Sequence, residues 1–574
     1  MTRWLRLGLA GLALMGAPFS EAAAQAGGGA SSEDPIASPG IGSASPGAAE
    51  DALVVQAMKP VIQDDLAPGA VIVGEGQPLA IDDAVAMAIR NGLNVEVQRY
   101  GPLIAEAAAN AAWGVYDPTV NGSFQYDVAK SLNVSPFSAV RNNRDRTNGG
   151  DVGVTQFFPY LGASLDARFS SNSFMTRNSA AVYEQQYTTN FFLTATVPLL
   201  RNAVWNQNWT NVRIAGAQDE AAEQQFRQAL MDTVQATVNN YWGLVAARDR
   251  VRVAQKSLET ARALLEQTRT QYEVGVVSQV EVVEAEAGVA NREFELLQSA
   301  NSFRNTQDVL IDAILGTQLK PLTDLQLVPT SNLAEAKVAR VDVEGDVAQA
   351  FEKRPELKLA QNQIEQSEIN LKFAKSQRLP QLDLVGRYGY VGISGRPNSN
   401  FQIGTLVLPP GAIQRRDYSD GMQSWFQGNG YDNYRVQGIV SVPIPNTRGR
   451  EQVNRSQFDL KRSQSSRIRL EQQIILEIRA ATRTLLAAAQ GIEAAERRRL
   501  AAEEQLRAER IRLEHGESTP FEVLQREEDL VDAESQKINA LQTLHAAETA
   551  LERARGSILE AHAIEVDAVR KPVN

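Results

Sequence analysis

The sequence predicts a membrane β-barrel continued by a long α-helical barrel, closed by more than one chain, with the same structural unit built twice in each chain. Three observations predict it. Two helical patterns run unbroken for dozens of residues and turn back at a glycine. That bend recurs in the second half of the chain. Short stretches of period-two alternation, studded with Tyr and Phe, are spliced directly onto the ends of the long helices.

The first bend is Tyr272-Glu-Val-Gly275-Val-Val-Ser278. From about Trp205 to Glu273 there is no proline, and a helix of that length reaches ~100 Å at ~1.5 Å per residue. Gly275 supplies the left-handed backbone that ends this helix, and Ser278 caps the next, which runs to about Leu315. The second bend is Leu513-Glu-His-Gly516-Glu-Ser-Thr519-Pro520, with Thr519 as cap and Pro520 at the first helical position, where proline is tolerated. Gly516 lies 241 residues after Gly275, and Thr519 lies the same distance after Ser278. A helical hairpin is made twice.

The first long helix carries Leu244, Ala247, Val251, Ala254, Leu258, Ala261, Leu265, Thr268 and Tyr272 at alternating spacings of three and four, a coiled-coil seam. The matching stripe of the second copy holds Leu485, Ala488, Ile492, Ala495, Ala502, Leu506 and Leu513, interrupted at Arg499 and Glu509. An ordinary long coiled coil also accounts for these stripes, and the remaining segments argue against it.

The chain has 574 residues, 43% hydrophobic and 22% charged, with net charge −11. The absence of cysteine excludes disulfides, zinc thiolate sites and a lipid-modified N-terminal cysteine. The acidic balance argues against nucleic acid as a partner. Residues 1–26 read as a signal segment: Arg3 and Arg6, an apolar run from Leu7 to Met15, and Ala24-Gln25-Ala26 for cleavage. A flexible Gly/Ala/Ser/Pro lead-in follows over 27–76. The rest divides into a first repeat (77–316), a connector forming an equatorial region (317–343), a second repeat (344–560) and a tail (561–574).

Within the first repeat, a helix over 81–113 starts at Asp82 and Asp83 and stops at Gly114 and Pro118. From Thr119 the period becomes two, with Val120, Phe124, Tyr126 and Val128 on one face. Residues 131–150 read as a polar, basic loop. Gly153–Ser170 stays open between a further strand and part of a long excursion. A clear strand spans Tyr187–Leu200. The second repeat has a helix through Ala350-Phe351, a strand with Leu382, Leu384, Tyr388 and Tyr390 on one face, a long loop over 392–430 and a strand at Tyr434–Ile444. The strands number four, or five if 153–170 contributes. Strands of about ten residues, apolar on one face, with long polar loops, match an outer-membrane barrel. A soluble sandwich would leave a small core and open edges. Open edges are not tolerated in lipid either, so one chain cannot close the barrel, whereas two or three copies could.

At this point the sequence resembles the TolC-type outer-membrane efflux proteins over most of residues 77–560. The motifs are Arg354-Pro355-Glu356-Leu357, Pro198-Leu199-Leu200-Arg201, Pro443-Ile444-Pro445 followed by Arg448-Gly449-Arg450, and the two bends. The resemblance implies a homotrimer with a twelve-stranded barrel in the outer membrane and a twelve-helix tunnel in the periplasm. It also implies an exit duct of a tripartite efflux or type I secretion system, with a periplasmic adaptor and an inner-membrane transporter as partners. Its hairpin tips, at Gly275, Ser278, Gly516 and Thr519, would contact the adaptor. Candidate gate positions are Glu281, Glu284, Leu513, Glu522 and Gln525. Three departures stand out: Asn91-Gly92-Leu93-Asn94 lacks the family's proline, the loop 131–186 is longer than the simplest members need, and the polar latch positions are Leu513 and Ser518. The competing reading is a periplasm-spanning coiled-coil structural or adhesive protein without a pore.

No enzyme is expected. His515, His545 and His562 are the only histidines, and none has the spacing of a zinc site. Gly392-x-x-Gly395-Arg396 lacks the lysine of a phosphate loop. The charge clusters at 496–499 and 526–529 read as solvated helix faces. No cofactor and no metal are expected.

Overall fold

The computed structural model describes residues 76–574, apart from 133–141, 160, 179–180, 317–318, 321–324, 336–341, 400, 404–405, 408–415, 427–430, 567–568 and 570–574. The signal segment and almost all of the lead-in lie outside the described residues. The elements in order are β1 (Gln77–Leu79), α1 (Ile81–Asn91), α2 (Leu93–Trp113), β2 (Thr119–Leu132), β3 (Asn142–Phe157), β4 (Ser164–Met175), β5 (Tyr183–Pro198), α3 (Gln207–Glu273) and α4 (Gln279–Leu315). There follow β6 (Leu327–Pro329), α5 (Val343–Lys353), α6 (Pro355–Gln377), β7 (Gln381–Pro397), the two-residue strands β8 (Gln402–Ile403) and β9 (Leu406–Val407), α7 (Tyr418–Phe426), β10 (Tyr431–Ser441), α8 (Thr447–Glu514), α9 (Pro520–Arg555) and α10 (Ile558–Ala561).

The hairpin α3–α4 and the hairpin α8–α9 are the two repeats of the helical half. The α3 helix has 67 residues and α8 has 68, each ~100 Å long. The predicted seam is buried from Leu244 to Ala261. Beyond Ala261 it holds at Thr268 but otherwise departs from expectation: Leu264, not Leu265, is buried, and Tyr272 is exposed. A straight helix drifts against a strict heptad, so a regular three-four stripe leaves the contact face after a few turns. The predicted helix over 81–113 is likewise two helices. They break at Gly92, whose extended backbone (ψ 124°) separates α1 from α2.

Near its middle the helical half is wrapped by the connector. β1 pairs in parallel with β6. The buried Tyr241 hydroxyl donates to the Leu79 carbonyl at 3.1 Å and accepts from the Ser331 amide at 3.2 Å. Arg248 donates to the Pro329 carbonyl at 2.7 Å, and Gln307 bonds both Leu325 and the Leu327 amide at 3.1 Å. The largest apolar core lies in the same zone, with Leu244, Val245, Leu310, Ile314 and Leu541.

The sheet corrects the strand count. Its six strands run β10-β7-β5-β4-β3-β2, every pair antiparallel. The stretch 153–170 supplies the ends of two strands, and residues 142–150, expected as loop, belong to β3. Polar composition misled the reading: Asn143, Arg144, Asp145 and Asn148 pair edge to edge with β2 regardless of side-chain polarity. The turn between β3 and β4 lies at the helical end, where Gly162 (φ +58°) packs on the Asn202 carbonyl. The expected loop 392–430 is also shorter, because β7 reaches Pro397 and α7 forms inside it.

An ion-pair network joins the repeats. Arg354, nearly fully buried, bonds Glu356 (3.0 Å) and Glu477 of α8 (2.7 Å). Arg553 of α9 bonds the same Glu356 (2.9 Å) and Asp232 of α3 (2.7 Å). Burial pushes the Glu356 carboxyl up, but the Arg354 hydrogen bond and the charges of Arg553 and Arg354 outweigh it and bring it to about 2. A depressed carboxylate contributes stability that is complete above its unfolded value near ~4.3 and lost as pH falls toward 2. Glu356→Gln should therefore lower the thermal midpoint at pH 7 and have a fading effect below pH ~4. Arg553→Met, which takes one of two guanidinium partners from the Glu356 carboxylate and leaves Arg354 in place, should cost about 2 kcal/mol at pH 7. Circular dichroism melting in detergent from pH 2.5 to 8 reads both.

Candidate functional site

Two regions have the chemistry of a conduit: the faces of the sheet and the closed ends of the hairpins. In the sheet, rows of opposite character alternate across all six strands. One row runs Val120, Val154, Ala167, Leu193, Tyr388, Tyr434, each paired with the next. The adjacent row runs Thr119, Thr155, Asp166, Thr194, Arg387, Arg435. Successive side chains point to opposite faces, so one face is apolar and the other polar.

The apolar face is open. Phe124 is 79% exposed and Tyr434 77%, and Val120, Val436 and Val440 are similarly bare. The polar face is cross-linked. Arg168 bonds Asp151 at 2.7 Å, Thr155 bonds Asp166 at 2.8 Å, Asn190 bonds Ser170 at 3.2 Å, and the Arg387 guanidinium lies 3.4 Å from the Phe192 ring centre. An apolar face this large and continuous marks contact with lipid or protein, and the other face suits water.

At the bends, Gly275 (φ +76°) and Gly516 (φ +75°) both take the left-handed backbone, as the sequence predicts. A Cβ at either would meet nothing within 4 Å, so the requirement is conformational and not steric crowding. Ser278 and Thr519 are the N-caps of α4 and α9. Glu281 reaches back to the Ser278 amide at 2.9 Å, the carboxylate half of a capping box. Glu522 occupies the same third position of α9 but is held differently: the Ser518 hydroxyl lies 2.9 Å from Glu522 Oε2 and 2.6 Å from Glu509 Oε1. Glu284 and Gln525 come together, lining a groove of about 450 Å³ between α4 and α9. Leu513 packs on a small apolar cluster of Leu264, Leu506 and Val523 that joins α3, α8 and α9.

The expectation that residues 526–529 form a solvated helix face fails at Glu527, which lies beside this cluster. Glu527 of α9 is 3% exposed and lines a cavity of about 190 Å³ with Thr260, Gln267 and Arg510. Its Oε2 has no hydrogen-bond partner among the described residues. Burial pushes its carboxyl up, and the charges of Arg510 and Arg292 with a Thr260 bond only partly oppose this. The available signal was its position four residues after Val523, on the packed face of α9 rather than the solvated one. A raised carboxyl imposes no penalty below its unfolded value and destabilises increasingly as pH rises through the folded one. Glu527→Gln should slow amide exchange of residues 505–530 at pH 8 and leave it unchanged at pH 4, as hydrogen-exchange mass spectrometry will read.

Residues 145–317 and 347–557 match the family model described as outer membrane efflux protein. Among solved structures, the outer-membrane channel OprN aligns with a TM-score of 0.58 at 15% identity, covering 83% of this chain and 90% of that one. The Campylobacter jejuni CmeC outer membrane channel aligns at 0.57 and 14%, covering 83% and 85%. The outer membrane protein VceC from Vibrio cholerae aligns at 0.56 and 16%, covering 83% and 96%. No curated protein sequence matches the chain. At such identities the structures establish the shared fold, a helical barrel with a β domain.

Proposed function

The chain belongs to the outer membrane efflux protein family, and from that membership we propose that three copies close a pore and serve as the exit duct of a tripartite efflux or type I secretion system. As a family member it is an efflux channel of the outer membrane, with its sheet in the lipid and its helices in the periplasm. The observation that carries the assembly is the pair of sheet edges. β2 leads away from the helices and β10 leads back to them, and both lack a partner among the described residues on their outer side. They are antiparallel to each other, so β2 of one copy can pair with β10 of the next all the way round a ring. Unpaired edges are not viable in lipid, and the smallest membrane barrels have about eight strands. A stalk-like adhesive protein would need no such sheet.

In this reading substrate is driven by an inner-membrane transporter and enters through a periplasmic adaptor that grips the hairpin ends around Gly275, Ser278, Gly516 and Thr519. The gate lies at the same ends. Three Glu522 carboxylates around one axis repel one another and attract cations. Glu281 is engaged in its cap and contributes less. Leu513, on its apolar cluster, closes the hairpins against each other without a polar latch, and Glu284 and Gln525 line the groove between them.

Native mass spectrometry of detergent-extracted protein should give three chains; a folded monomer would sink the duct reading. In planar bilayers Glu522→Gln should weaken divalent-cation block severalfold, with a smaller effect from Glu284→Gln. Unchanged block in the Glu522 variant would remove it from the gate.

A further inference from the structure

We infer that the hairpin β3–β4 is part of the membrane wall, so that the closed ring has eighteen strands instead of the twelve its family resemblance implies. The inference rests on the trimer reading and goes beyond it. Four strands, β2, β5, β7 and β10, occupy the positions expected from the duplicated unit; β3 and β4 are inserted between β2 and β5.

Three observations place the insertion in the wall. First, its register is continuous with the rest: twelve residue pairs join β3 to β4 and twelve join β4 to β5, with no bulge in either ladder. Second, the apolar row crosses it unbroken. Val154 pairs with Val120 on one side and Ala167 on the other, Ala167 pairs with Leu193, and one level up Val152, Phe169, Phe191 and Tyr390 pair in sequence. A hairpin folded into the lumen or out into water would not continue an apolar band facing lipid. Third, the opposite face of the insertion carries Asp151, Asp166 and Arg168 in mutual ion pairs, which suits a water-filled interior.

The helix α7 marks where the band ends. It lies on the same apolar side at the end remote from the long helices, with the Trp425 ring against Phe169 (5.7 Å) and Phe191 (6.4 Å). Gly421 sits over Gly392, where a Cβ would come within 2.2 Å of the Gly421 carbonyl. Past Phe169 and Phe191 the rows on this side turn to Ser171, Thr189 and Ser394. A tryptophan at that border is where membrane barrels place their aromatic girdle. Barrel diameter grows roughly linearly with strand number, so the outlet is about 1.5 times as wide as a twelve-stranded one. The constriction on cargo then falls to the helical tunnel and its gate.

The chain has no cysteine, so single-cysteine variants carry one fluorophore each. Val120→Cys on β2, Val152→Cys on β3 and Ala167→Cys on β4 are labelled and reconstituted with nitroxide lipids, and the trimer is verified by native mass. The inserted positions should be quenched to within about twofold of Val120, whereas Thr155→Cys and Asp166→Cys should resist lipid quenching and yield to an aqueous quencher. Quenching at Val120 without quenching at Val152 and Ala167, in a verified trimer, overturns the eighteen-strand wall and leaves the duct reading standing. A monomeric mass overturns both.

Discussion

The structure depends on one constraint: inside a bilayer every backbone amide and carbonyl must be paired within the protein. A six-stranded sheet satisfies that for its inner strands and leaves two rows of groups bare, along β2 and β10. Much else follows from how those edges are disposed. Because the strand number is even and every pairing antiparallel, the edges run in opposite directions and can meet in a closed ring. Because β2 follows α2 and β10 precedes α8, both edges connect to helices at one end of the sheet. The remaining helix connections, β5 to α3 and α6 to β7, fall at that same end. The inserted hairpin preserves this arrangement, since it adds one strand up and one strand down. An insertion of a single strand would have left the two edges parallel and moved a helix connection to the other end of the sheet.

The helical half is held unevenly along its length. Its largest cores lie beside the connector, around Tyr241, Leu244 and Leu310, and beside α1 and α10, around Phe226, Leu230 and Met231. Toward the bends the shared apolar core shrinks to Leu264, Leu506 and Val523. The small cavity beside it holds a carboxyl that burial disfavours. Local opening free energy follows the density of buried apolar contacts, so the bends are the weakest part of the hairpins. The Arg354–Glu356–Arg553 network lies in the strong zone and joins α3, α6, α8 and α9 there. Movement at the bends is thus compatible with a fixed middle.

What the sequence disclosed tracks how local each determinant is. The bends were legible to the residue, because a left-handed glycine followed by a cap is fixed by neighbours in the chain. The ends of α3, α4, α8 and α9 that meet at the bends were legible for the same reason. The hairpin β3–β4 was not, since Asn142–Gly150 has strand conformation only through its pairing with β2 and β4. Nor was α7, whose placement depends on Gly421 meeting Gly392 from a different element. Among the candidate site residues the positions were predictable and the partners were not. Ser518, read as a missing latch, is the hydroxyl between Glu509 and Glu522.

That hydroxyl explains why the two copies of one bend are not equivalent. Each copy has a glutamate at the third position of its outgoing helix. In the first copy the position is self-contained: Glu281 accepts the Ser278 amide and its charge faces the helix start, where the dipole favours it. In the second, the Thr519 side chain accepts from the Glu522 amide, but the glutamate turns to Ser518 instead of back to its cap. Ser518 has one proton and two carboxylate oxygens within bonding distance, so it can donate to only one of them at a time. The remaining carboxylate charge is met within the chain: Arg512 lies 3.6 Å from Glu509, and the Ser518 hydrogen bond with the charges of Arg512 and Arg526 lowers the Glu509 carboxyl. The second bend therefore couples two carboxylates and a guanidinium around one hydroxyl, whereas the first engages a single carboxylate in its cap.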